Sequence, residues 1–75
     1  MKIKRLEVEQ ELFREVVMAT ELIVDSEKGK DAKHAFTECN AILIFAKNLG
    51  LVKESLYIEC LKALDRAKIK RKEVI

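Results

Sequence analysis

The chain has no proline, two glycines and one histidine in 75 residues. Proline and glycine are the residues that disfavour helix most, so their scarcity points to long uninterrupted helices. Two glycines cannot build a glycine-rich phosphate loop. Cys39 and Cys60 are too few for a disulfide scaffold and too far apart for a Cys-x-x-Cys motif. With His34 as the lone imidazole, no set of cysteines and histidines completes a tetrahedral zinc site. The longest purely apolar run, AILIFA from Ala41 to Ala46, is far short of the ~20 residues that span a bilayer. No membrane association is expected.

What the chain does have is aliphatic and charged side chains, at 49% hydrophobic and 37% charged. That mixture suits one all-α domain over residues 1–75 and not a disordered chain. The net charge is only +2, but it is unevenly spread. Residues 1–5 carry Lys2, Lys4 and Arg5, hence +3. Residues 6–27 carry seven acids against Arg14, hence −6. Residues 62–72 carry six cations against Asp65, hence +5. Basic ends of this kind serve solubility or dock on an acidic surface or a phosphate backbone. The basic start runs into LEVEQELF, which is acidic where a secretory signal would be apolar. A reducing, cytoplasmic setting with two buried thiols is the expectation.

The glycines divide the chain into three helical parts, about 6–28, 32–49 and 53–72. Each glycine can adopt the left-handed conformation that ends a helix, and Asp31 can cap the start of the second. At 100° per residue, the first helix gathers Leu6, Val8, Leu12, Phe13, Val16, Val17, Ala19, Ile23 and Val24 on one half, with Glu9 intruding. The second gathers Ala32, Ala35, Phe36, Cys39, Ile42, Leu43, Phe45, Ala46 and Leu49, and is expected to be the centre of the core. The third has a seam of Leu56, Cys60, Ala63, Leu64 and Ala67. Short connections favour antiparallel neighbours, so the expected fold is an up-down-up three-helix bundle.

Met18, Leu22, Ile44, Ile58 and Ile69 fall outside these seams. Apolar surface in that quantity on a small domain marks a contact face. A homodimer through the first helix or the 41–45 segment is expected.

The corner at Gly50 has two readings. Ala46, Leu49, Gly50, Leu51 and Leu56 have the spacing of a helix-turn-helix. This stretch resembles the DNA-binding end of FIS-type bacterial regulators over about twenty residues, mostly in hydrophobic spacing. The resemblance implies a DNA-binding regulator using residues 42–64, with Lys53, Tyr57, Lys68, Lys70, Arg71 and Lys72 against nucleic acid. A recognition helix, however, needs arginine or asparagine aimed at base edges and cations for phosphates. Its exposed start would be Val52, Lys53, Glu54, Tyr57, Ile58 and Leu61, which has one cation and one acid. An apolar, lightly charged face suits a protein partner better. Tyr57, Ile58, Leu61, Ile69 and Ile44 are the residues expected to make it.

No catalytic constellation is visible. His34 and Glu38 stand four apart, as a surface pair would, and neither Ser26, Ser55 nor a cysteine has an evident base. The expected protein is non-enzymatic and needs no cofactor or metal. It acts by stoichiometric protein–protein contact, as a regulator, inhibitor or adaptor of the sort found on bacterial mobile elements.

Overall fold

The computed structural model describes residues 4–71. Its three helices are α1 (Arg5–Asp25), α2 (Gly29–Asn48) and α3 (Glu54–Arg71). They form the expected all-α bundle, about 40 Å long. Early α1 lies beside late α2, as Val8 and Leu12 share a depression with Ile42. These two helices are therefore antiparallel. Glu9 meets Lys53 at one end and Ile23 meets Arg71 at the other, so α1 and α3 are parallel.

Leu12, Val16, Ala19 and Ile23 recur at helical spacing along α1 and are buried. They meet Cys39, Leu43 and Ala46 of α2, and Cys60, Leu64 and Ala67 of α3. Ile23, Leu43 and Leu64 are the largest side chains fully removed from solvent. The centre of the bundle is α1, not α2 as the sequence suggested. It packs along both neighbours, which meet each other over a shorter stretch. The small side chains of α2 line its contact with the core but do not place it in the middle.

The two glycines do different work. Gly50 is left-handed at φ 70°, one residue beyond the cap Leu49. Its N–H donates to the Lys47 carbonyl at 3.0 Å, and the Leu51 N–H donates to the Ala46 carbonyl at 2.9 Å. This is a Schellman ending, with Leu51 folded back against the core. Gly29 instead opens α2 as its first residue. The first helix stops earlier, at Asp25, because the chain turns extended at Ser26, with ψ at 135°. Lys28, also extended, precedes α2, and its carbonyl accepts from the N–H groups of Asp31 and Ala32. Asp31 thus lies inside the first turn, where its charge complements the helix dipole, and it makes no side-chain cap.

Reciprocal tethers join the ends of α1 and α3. The Lys53 N–H, just before α3, donates to Glu9 Oε2 at 2.9 Å. At the far end, Arg71 Nη1 donates to the carbonyls of Ile23 at 2.9 Å and Ser26 at 2.7 Å. The last carbonyls of a helix lack partners of their own. No basic residue stands in the last turn of α1, and Arg71 supplies the missing cation from another helix. Glu9, which interrupts the apolar arc of α1, is explained by its role at the start of α3.

Candidate interaction surfaces

The apolar arcs of α1 and α2 are wider than the bundle covers. Met18, Leu22, Ile44, Ile58 and Ile69 are exposed, as their positions outside the seams suggested. Leu6, Phe13 and Val17 of α1 join them, and so do Ile42, Phe45 and Leu49 of α2. These six were expected inside. Half a helix circumference is more than two neighbours can shield when each buries only the side facing it. Phe13 at 59% and Phe45 at 66% exposure are the clearest cases.

The exposed residues fall on distinct faces. On the α3 flank of α1, Leu6, Gln10, Phe13, Val17, Thr20 and Val24 alternate at spacings of four and three. That is the repeat of a coiled-coil seam, and the stripe contains no charge. Leu6, Phe13 and Val17 are exposed, whereas Thr20 and Val24 are half-buried. The Thr20 hydroxyl donates to the Val17 carbonyl at 2.7 Å, so its polar group is already bonded within the helix. On the α2 flank, Met18 and Leu22 stand with Ile42 beside a row of glutamates.

On α3, Tyr57 and Leu61 are half-buried and pack against the core. Ile58 and Ile69 remain exposed, and Ile69 is the barest apolar side chain at 76%. The face drawn from the sequence is therefore smaller on α3 than expected. Val52 is not at the exposed start of α3; it is buried with the core, because the chain turns inward after the Schellman corner.

Two of the cations considered for nucleic acid, Lys68 and Arg71, have partners within the chain, and so does Lys47 outside that set. Lys47 Nζ lies 4.7 Å from the centre of the Tyr57 ring, and Lys68 Nζ lies 4.5 Å from that of Phe36. Such contacts attract the ammonium to the ring face. Arg71 is held by the end of α1. Lys53 and Lys70 are exposed, and Lys72 lies outside the described residues. The start of α3 carries Glu54 in its first turn and the Glu9 carboxylate on the preceding N–H. Both place negative charge where a recognition helix would approach phosphate.

His34 Nε2 and Glu38 Oε2 are 2.9 Å apart on an exposed stretch of α2, an i,i+4 surface pair. Among the described residues, no group of three or more His, Cys, Asp or Glu side chains could hold a metal ion. No helix among them is long and apolar enough to cross a membrane. Cys39 and Cys60 are free and buried. Burial pushes the Cys39 thiol up to about 11, with the charges of Cys60, Glu15 and Glu38 adding to it. Burial raises Cys60 as well, with Glu59 contributing.

Because the ordinary value is 9.0, Cys39 at pH 8 should hold roughly a hundred-fold less thiolate than a free cysteine. Thiol-labelling kinetics should show both cysteines protected in the folded chain and reactive once urea unfolds it. The raised value also has a sign for stability. Between pH 9 and 11 the folded thiol keeps its proton while the unfolded one loses it, so stability falls as pH rises. A Cys39→Ala variant should lose less melting temperature across that window than the parent. Equal slopes would contradict the assignment.

Comparison with protein-family models, with curated proteins and with solved structures finds no match to this chain.

Proposed function

We propose that this chain is a non-enzymatic helical binding module that acts by stoichiometric protein–protein contact and pairs with a second copy through α1. The observation that carries this reading is the uncharged seam from Leu6 to Val24, which has coiled-coil spacing and leaves Leu6, Phe13 and Val17 exposed. A symmetric pair of such seams brings no like charges together within the stripe, and it covers Phe13, the large aromatic anchor. The other exposed faces, including Ile44, Ile58 and Ile69, remain available to a different protein, which fits a regulator, inhibitor or adaptor.

The alternative, a DNA-reading helix within residues 42–64, draws less support. Glu54 and Glu9 oppose phosphate, and Lys68 and Arg71 already have partners in the chain.

Sedimentation across a concentration series tests the dimer. The parent should dimerise, and Phe13→Glu should remain monomeric with its helicity unchanged, since the side chain is already exposed. A parent that stays monomeric at every concentration would refute pairing through α1. Duplex DNA separates the alternative, because binding through phosphates weakens steeply with salt. Tight binding at low salt that vanishes at high salt would favour the DNA reader.

A further inference from the structure

The geometry points to the channel between α1 and α2 as a docking site for a cationic amphipathic helix of another protein. This rests on the protein-binding reading above and adds the chemistry of the partner. Two adjoining depressions, about 130 and about 490 Å³, share Glu15 and Ile42 and so run together along the helix pair. Ala19, Cys39 and Leu12 lie in the floor and belong to the core. Met18, Leu22 and Ile42 stand exposed along the walls.

The rim has one sign of charge. Glu7, Glu11 and Glu15 come from α1 and Glu38 from α2, and no lysine or arginine among the described residues lines either depression. Arg14 and His34 are paired with Glu11 and Glu38 at 3.3 and 2.9 Å, but all four side chains are largely exposed. Such surface pairs hold weakly and can be exchanged for an incoming cation.

Length, backbone and charge together select the occupant. From Glu7 to Leu22 the channel follows about four turns of α1, roughly 22 Å, which a helix of about four turns would fill. The walls are helices whose backbone groups are bonded internally, so they offer no edge for an added strand. Recognition must then come from side chains at helical spacing, as when an amphipathic helix enters a groove. Carboxylates along the rim call for lysine or arginine flanking the apolar stripe of the partner. A second copy docked symmetrically through this channel would set Glu7, Glu11 and Glu15 against the same acidic patch. The neutral seam on the other flank of α1 is free of that repulsion.

The test uses a synthetic helical peptide of roughly five turns, with leucines at i, i+3, i+4 and i+7 and lysines flanking them. A matched peptide carries glutamate in place of lysine. The lysine peptide should bind at least about ten-fold tighter at low salt, and its advantage should shrink as salt rises. Leu22→Lys should weaken it by about ten-fold or more with helicity unchanged. A Glu11→Lys, Glu15→Lys double variant should reverse the preference between the peptides.

Equal affinity for both peptides, or full binding by Leu22→Lys, overturns the assignment. So does assembly of the parent beyond a dimer that Leu22→Lys abolishes, since the channel would then hold the basic α3 of another copy. Phe13, Ile58 and Ile69 lie outside this channel. A partner held through them would survive failure here, whereas loss of protein binding by every face would sink the broader reading too.

Discussion

A Leu43→Ala variant is expected to lose about 3 kcal/mol and to melt roughly 10–20 °C below the parent chain. Leu43 is fully removed from solvent and sits in the core cluster with residues from all three helices. Truncation removes the transfer energy of its buried atoms and leaves a cavity that rigid helices fill only in part. The domain is small, and stabilities of about 0.05–0.15 kcal/mol per residue imply only roughly 4–11 kcal/mol in total. One such change therefore takes a large share of the whole. The neighbouring Ile44→Ala tests the argument from the other side. Ile44 is exposed, so its truncation should stay within about 0.5 kcal/mol. Urea unfolding of both variants checks the pair, and similar losses would mean that α2 is rotated from the described orientation.

Arg71→Met should cost about 2 kcal/mol, which is unusual for a side chain near the end of a helix. Its guanidinium donates to the carbonyls of Ile23 and Ser26, at the point where α1 runs out of internal partners. Methionine keeps an apolar stem of similar length but removes both donors and the cation facing the helix dipole. Arg71→Lys should recover only part of the loss, because one ammonium does not reproduce the planar fork that reaches two acceptors. Thermal melts of the two variants give the order parent, lysine, methionine. If methionine matched the parent, the tether would be structural ornament and α1 would be held by packing alone.

The dominant helical content was legible from the near-absence of helix breakers. Gly50 was legible as well, because a glycine followed by leucine after an apolar helix is the pattern of a Schellman ending. The end of α1 was not. Gly29 looked like a terminator, yet the chain leaves the helix at Ser26 through an extended backbone that no residue type there demands. Glu9 carried a signal in being charged within an apolar arc. Its partner lay forty-four positions away, at a backbone N–H that no side-chain pattern marks. The uncharged seam from Leu6 to Val24 was written in the sequence too. It was hidden by its overlap with the core stripe of the same helix, since an arc of half a circumference does not say which part is covered.

The sequence alone determined that the chain makes helices, roughly where they lie, and that they carry more apolar surface than one small core consumes. These follow from local propensity and periodicity, which act over a few residues. Only the tertiary structure decided that α1 is central, that Glu9 and Arg71 tie its ends to α3, and that Phe13 and Phe45 face outward while Val52 and Tyr57 turn in. Those outcomes depend on how three cylinders share contact, and on tethers between residues far apart in the chain.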